Sequence, residues 1–262
     1  MFRTARLRTT LCLTASLAAL FLHEPVQALT HRVFGVQEGS PELIKEPKSK
    51  VPFESWSRFT TGAEREKAED QPVLTLTGTG LRTKTIFAVK VYAVGMYVEA
   101  AGVQEALSKW KGKKASELAK DEGFYKALLG APVTKSLRLV MTRDVDGEDM
   151  GEAFSDSLGP RVDRAVKGLE EAKAKAARAN MKTFKGVFSM DELAEETEII
   201  FTWLPKGGLV TTIDGKPQGV LDAPVLSRAL FDIYFDKDPI SDKAKVSLVG
   251  RVPGILTESK AG

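Results

Sequence analysis

The chain reads as an α+β domain, an antiparallel sheet with helices largely on one face, and three observations predict it. Period-two alternation in Leu74-Thr75-Leu76-Thr77 and from Leu137 to Thr142 is the pattern of half-buried strands. Two further strand-like runs, 198–204 and 208–213, are separated only by Pro205-Lys206-Gly207, which is hairpin spacing. Around them apolar residues recur at three and four, in helices grouped between runs of strands. They do not alternate strand by helix as a parallel sheet would require.

Composition narrows the chemistry. With 262 residues, 43% of them hydrophobic, the chain can bury a sizeable core. A net charge of +3, with no basic stripe interleaved with aromatics, argues against a nucleic-acid partner. The one cysteine, Cys12, and both histidines, His23 and His31, lie at the front end. The body is therefore expected to have no disulfide, no His-based catalytic triad, and neither a metal site built on histidine nor a cofactor.

Residues 1–28 carry Arg3, Arg6 and Arg8, no acid before Glu24, an apolar run from Leu11 to Leu22, and a small-residue cleavage pattern at Val26-Gln27-Ala28. This is a cleaved targeting segment. Its composition suits a secretory signal peptide and an organelle transit peptide alike. The apolar run is too short for a membrane span, which needs ~20 residues, so no integral span is expected. Residues 29–72, rich in Pro, Lys and Glu, read as an irregular lead-in with Trp56 anchored against the body. The domain proper is expected over 73–250, with 251–262 as a tail.

Within it, VLTLTGTGLRTKTIFAVKVYAVGMYVE at 73–99 reads as two antiparallel strands, about 73–82 and 86–98. Phe87, Val89, Val91 and Ala93 share one parity; Ile86, Ala88, Lys90, Tyr92, Val94 and Met96 share the other. That second face is apolar with a phenol, and Arg82 lies nearby, as on a strand lining an oily cavity with a polar end. A straight strand would hold Arg82 and Tyr92 roughly 33 Å apart at ~3.3 Å per residue. They can share a ligand only if the chain turns back, and Gly78-Thr79-Gly80 or 82–85 offers the bulge or turn. A dinucleotide loop at Gly78-x-Gly80 is excluded, because strand character and not a helix follows.

Amphipathic helices follow at 103–112 and 115–129, with Ser116 and Glu117 near a helix start. Lys109, Lys111, Lys113 and Lys114 form a solvated helix end. A strand spans 136–145, with Leu137, Leu139 and Met141 on one side and Arg138, Val140 and Thr142 on the other. After Asp146-Gly147 a helical region runs over 148–188, broken at Leu158-Gly159-Pro160. Its piece GLEEAKAKAARAN is a solvated face. After the hairpin and the tight turn Asp214-Gly215 comes a helix over 224–235. Ser241 caps a last short helix reaching Leu248.

The segments GTGLRTK, VKVYAVGMYVEA, KSLRLVMTRDV, EIIFTWLPKGGLVTTIDG and APVLSRALFDIYFDKDPIS, in that order, resemble the chalcone isomerase fold, and within it the plastid fatty-acid-binding proteins of plants and algae. The resemblance runs from about 45 to 250. It implies an open-faced β-sandwich with a cleft between sheet and helices, in which Arg82 and Tyr92 hold the carboxylate of a free fatty acid, and a plastid address. Catalytic members use the same arginine to polarise a ketone, with a threonine on the second strand and a tyrosine and an asparagine after the LRLVM-like strand. Here Tyr92 occupies the threonine position, and TRDVDGEDMGEAFSDS at 142–157 has neither tyrosine nor asparagine.

The expected function is therefore non-catalytic binding of free fatty acids, with no catalytic residues. An arginine fork and a phenol can satisfy a carboxylate, and Lys90, on the parity of Tyr92, reads as a snorkelling side chain. Chalcone cyclisation to a flavanone is the alternative. A further one is a secreted binder of another amphipathic acid or of haem, for which Tyr92 or Tyr97 would have to be the ligand.

Overall fold

The computed structural model of the chain describes residues 39–62, 67–84 and 89–258; the expected targeting segment 1–28 lies outside them. A seven-stranded antiparallel sheet organises the rest. In sequence order its strands are β3 (Trp56–Arg58), β4 (Val73–Lys84), β5 (Val89–Val98), β6 (Lys135–Met141), β9 (Glu198–Trp203), β10 (Gly208–Ile213) and β11 (Lys216–Asp222). They lie side by side as β11-β10-β9-β6-β5-β4-β3. The remaining short strands pair as β1 (Leu43–Lys45) with β2 (Pro52–Glu54) and β7 (Val145–Asp146) with β8 (Glu192–Leu193).

Alternation along the strands divides the apolar side chains between two layers. Leu137, Leu139 and Met141 face a helical layer, packing with Phe154, Phe184, Leu226, Leu230 and Phe231. Val140 faces the other way, with Leu74, Leu76, Ala93 and Tyr97, and there Phe53 of β2 and Phe59 cover the sheet. The segment expected as an irregular lead-in thus carries three short strands, and Phe53 is its buried anchor, whereas Trp56 is only half-buried. Arg138 secures this cover by donating to the Pro52 carbonyl (3.0 Å). Gly95 makes room for it, since a Cβ there would lie 2.6 Å from the Phe53 ring.

The structure departs from expectation at four further places, three of them in the helices. The first two helices break into α1 (Ala100–Ala106), a 3-10 turn at 108–110, α2 (Ala115–Leu118) and α3 (Glu122–Gly130). Asp121 causes the last restart, because its carboxylate caps α3 at the Phe124 N–H and accepts from the Trp110 indole (2.7 Å). Secondly, Pro160 does not break its helix. Helix α4 runs over Gly147–Ala165, and the break falls before α5 (Glu171–Gly186), where Gly168 has a φ of +86°. Phe154, Leu158 and Val162 are buried on both sides of the proline. Burying each such side chain contributes about 1.5–3 kcal/mol, which together offsets the ~3 kcal/mol cost of the proline.

Thirdly, after Asp214-Gly215, both at positive φ, the chain forms β11, an exposed edge strand that sequence alternation does not mark. Finally, α6 (Pro224–Phe235) and α7 (Asp242–Ser247) form as expected, but a further helix, α8 (Val252–Thr257), occupies the presumed tail. Ser241 caps α7 by accepting from the Ala244 N–H (3.2 Å). Among the described residues no helix is long and apolar enough to cross a membrane.

Candidate functional site: a cavity between sheet and helices

Strands β4 and β5 pair along their length with two irregularities, and those irregularities build the site. Leu76 pairs with Tyr97 and Gly78 with Met96, which leaves Thr77 as an inserted residue. Its buried hydroxyl donates to the carbonyls of Leu248 (2.7 Å) and Met96 (3.1 Å). The insertion reverses alternation, so Leu74 and Leu76 face the Phe53 layer while Gly78 and Gly80 face the helices. Helix α7 lies directly on those glycines: a Cβ on Gly78 would sit 2.1 Å from the Ser247 carbonyl oxygen, and one on Gly80 2.9 Å from the Ala244 Cβ. The G-x-G pair is thus a seat for a helix and not a turn.

The second irregularity lies at the other end. Arg82 pairs with Tyr92 and Thr83 with Lys90, leaving Val91 inserted. Residues directly opposed across an antiparallel pair point to the same face, so Arg82 and Tyr92 lie side by side on the helical face of the sheet. Both line one cavity of about 300 Å³. The turn between the strands lies outside the described residues. The Val91 bulge corrects the parity reading of this end. Val89 and Val91, expected opposite Tyr92, line the same cavity as Tyr92. Lys90, expected beside it, instead reaches the Lys48 carbonyl (2.8 Å) in the N-terminal hairpin turn. Tyr97 faces the Phe53 layer and donates to the Glu54 carbonyl (3.1 Å), so it cannot serve as a ligand in this cavity.

The cavity is closed by side chains that sequence reading did not single out. Met150, Ala153, Phe154 and Ser157 come from one face of α4, Ile233 from α6, and Ile240 from the link between α6 and α7. Lys84, Arg143, Asp144, Asp146 and Asp149 also line it. The Arg82 guanidinium donates through Nη1 to the carbonyls of Thr83 (2.8 Å) and Ile240 (3.4 Å). Among the described residues no carboxylate forms an ion pair with it. The link carrying Ile240 is itself held: Arg161 and Arg164 of α4 both pair with Asp236 at 3.0 Å.

Tyr92 is 4% exposed, and its hydroxyl lies 2.9 Å from that of Tyr234 on α6, itself 1% exposed. Burial pushes the Tyr92 phenol above its ordinary value, while the Tyr234 bond and then the Arg82 charge pull it back. Burial likewise raises Tyr234 well above its ordinary value, with Tyr92 adding to the rise. Both phenols are therefore neutral near pH 7, with one proton each. One proton is spent between the two hydroxyls; when Tyr234 donates it, the proton of Tyr92 is left for a group in the cavity. Tyr234 could have been found from its place on the apolar face of 224–235, four residues after Leu230.

Residues 142–157 offer no phenol or amide here. The Ser157 hydroxyl donates to the Ala153 carbonyl (2.9 Å), and Asp146 caps α4 at the Asp149 N–H (3.0 Å). The cavity thus combines apolar side chains from β5, α4 and α6 with a cation at Arg82, a neutral phenol at Tyr92, and further charged groups of both signs.

A curled antiparallel sheet under helices, with this pocket between them, places the chain in a known class. A family model described as chalcone isomerase like matches residues 73–249, and the chain belongs to that family. It is 32% identical over 153 residues to chalcone isomerase-like protein 2 of Humulus lupulus, covering 56% of this chain and 70% of that one. Identity to a chalcone–flavanone isomerase of Clitoria ternatea is 29% over 192 residues, covering 70% and 80%. Fatty-acid-binding protein 2 of Arabidopsis thaliana is 30% identical over 198 residues, 73% of this chain and 48% of that one. Among solved structures, the fold matches that of a fatty-acid binding protein of Arabidopsis thaliana with a TM-score of 0.65 at 21% identity, over 83% of this chain and all of the other.

Proposed function

We propose that this chain binds a free fatty acid without transforming it, holding the carboxylate at Arg82 and Tyr92 and the acyl tail in the cavity beyond, and that residues 1–28 direct it to a plastid. The observation that carries the reading is the direct cross-strand pairing of Arg82 with Tyr92, both lining one cavity together with Val89, Val91, Met150, Phe154 and Ile233. Charge-assisted bonds contribute on the order of 1.5–3 kcal/mol each and each buried methylene about 0.8 kcal/mol. The tail thus supplies most of the affinity, and the polar end fixes its direction. The Arabidopsis relatives named for fatty-acid binding support the ligand class, and the arginine-rich, acid-poor composition of 1–28 supports the address.

Native mass spectrometry of protein purified from its own host tests both parts. A fatty acid should co-purify, the Arg82→Ala variant should lose it, and the mature N-terminus should begin near residue 29. An unchanged lipid load in the variant would remove the head-group assignment.

Cyclisation of a chalcone is the second reading, favoured by the relatives named as isomerases. Against it stands the absence of a phenol or amide from 142–157. Turnover of naringenin chalcone well above the spontaneous rate would establish it.

A further inference from the structure

Strand register gives the cavity a direction. Among the described residues its sheet side is made by Arg82 and Lys84 of β4 and by Val89, Val91 and Tyr92 of β5. Arg82 stands opposite Tyr92, and Lys84 stands opposite Val89, nearer the end of the β4–β5 ribbon. On the other side of β5, Met141 stands opposite Tyr92 in an antiparallel pair. Arg143 and Asp144, which also line the cavity, therefore continue alongside the start of β5. The Thr142 N–H holds that course by donating to the Val91 carbonyl (3.0 Å).

In the opposite direction the sheet side stops at the Arg82–Tyr92 row. Gly80, Val94, Met96 and Leu139 come next on the helical face, and none of them lines the cavity. Helix α7 sits on Gly80, and Val94, Met96 and Leu139 are 0% exposed. The helical wall is backed in the same direction: Phe154 meets Phe201 edge to face at 5.5 Å, and Phe201 pairs with Leu137, inward of Leu139. Exposure follows the register. Tyr92 is 4% exposed and Arg82 half-buried, whereas Lys84, Arg143 and Asp144 are exposed, as are Asp146 and Asp149 at the start of α4. From Arg82 to Lys84 the strand advances only about 7 Å at ~3.3 Å per residue, which a long acyl chain overruns.

The geometry points to a ligand bound head first, with its carboxylate at the Arg82–Tyr92 row and its ω end brought out among the exposed charges of Lys84, Arg143, Asp144, Asp146 and Asp149, so that the site accepts fatty acids carrying a polar ω group as readily as plain ones. This rests on the fatty-acid reading above and adds to it the direction of the ligand and a wider substrate class. Val89, Val91, Met150 and Phe154 cover the part of the tail nearest the carboxylate. An ω hydroxyl at the charged side keeps its hydrogen bonds to water or to carboxylates, which a closed apolar chamber would strip from it.

The test is calorimetric titration of the delipidated full chain with palmitate, ω-hydroxypalmitate and methyl palmitate, and it needs no variant. The hydroxy acid should match palmitate to within about threefold, because its hydroxyl is never desolvated. Methyl palmitate, which offers Arg82 no charge, should bind at least about tenfold more weakly. A hydroxy acid about 5- to 150-fold weaker than palmitate, the loss expected for an unpaired buried hydroxyl, overturns the head-first direction and leaves the fatty-acid reading standing. An ester as tight as the acid overturns the direction together with the head-group assignment. Absence of palmitate binding overturns the fatty-acid reading and this inference with it.

Discussion

Replacing Arg82 with methionine keeps an unbranched stem but removes the fork, and its effect can be worked from the cavity. On the proposed reading, a carboxylate at Arg82 would receive two charge-assisted bonds from the guanidinium, nominally about 1.5–3 kcal/mol each. Arg82 is only half-buried, so solvent screens part of this; about 2–4 kcal/mol in all is a fair expectation. At 1.4 kcal/mol per decade, that is a loss of about 30- to 700-fold in acid affinity. The comparison ligand is the alcohol with the same tail, which makes the same apolar contacts and carries no charge. Calorimetry should show alcohol affinity changed by less than about threefold, since apolar burial at ~0.8 kcal/mol per methylene is untouched. The Nη1 bonds to Thr83 and Ile240 are also lost, so urea unfolding of the variant belongs beside the titration. Equal losses for acid and alcohol, or none for the acid, would refute the assignment of Arg82 to the head group.

Gly78→Ala should cost more than about 3 kcal/mol in urea unfolding, because its Cβ meets backbone oxygen at 2.1 Å and α7 must lift from the sheet; Gly80→Ala, which meets a side-chain methyl at 2.9 Å, should cost less. Tyr234→Phe alone should destabilise by about 1–3 kcal/mol by stranding the buried Tyr92 hydroxyl, whereas Tyr92→Phe with Tyr234→Phe should return most of that loss. Lys135 is 1% exposed and donates to the carbonyls of Ala131 and Val133, and burial lowers its pKa to about 8. Between that value and the unfolded ~10.4 the unfolded chain binds more protons, so the Lys135 contribution rises with pH there and falls as pH drops toward 8. From pH 8 to 9.5 the gain is at most about 2 kcal/mol, and Lys135→Met should abolish it in chemical denaturation. Above pH 10 the sign reverses, because burial raises the phenols of Tyr92, Tyr97 and Tyr234 and holds Tyr125 at about 12.

Periodicity was a good guide within uninterrupted elements. The three-to-four spacing of 224–235 and the Ser241 cap stand in the structure as read, and the alternation from Leu137 holds to Met141, where β6 ends short of the expected 145, although both of its faces are buried. The reading strained where one extra residue changes the phase: no composition signal marks Thr77 or Val91 as inserted, so Lys90 and Val91 were assigned to each other's faces. Strand β11 escaped notice because an exposed edge lacks a buried face to impose alternation. The N-terminal hairpin escaped because Pro and Lys dominate its turn while a single Phe53 carries its packing. Arg82 and Tyr92 were suggested by the family resemblance, and they come to face each other through the antiparallel pairing of β4 with β5, not through a turn at the glycines. Tyr234, Ile240 and Phe154 come from distant elements, and only tertiary structure brings them to the site.

The bulge at Val91 separates two jobs within a single strand. Beyond it, from Tyr92 to Val98, side chains are committed in strict alternation to the two layers of the core; before it, Val89 and Lys90 answer only to the cavity rim and the outer hairpin. Insertions or deletions ahead of Val91 can therefore reshape the mouth without shifting the phase of the interior. Removing Val91 itself would close the bulge and leave Lys90 facing the outer hairpin and Val89 facing the cavity in regular alternation with Tyr92, so the cavity would lose only the Val91 side chain. A lineage built on this sheet could in this way alter the rim of the cavity by editing a few residues at a strand end, leaving the packed interior in phase.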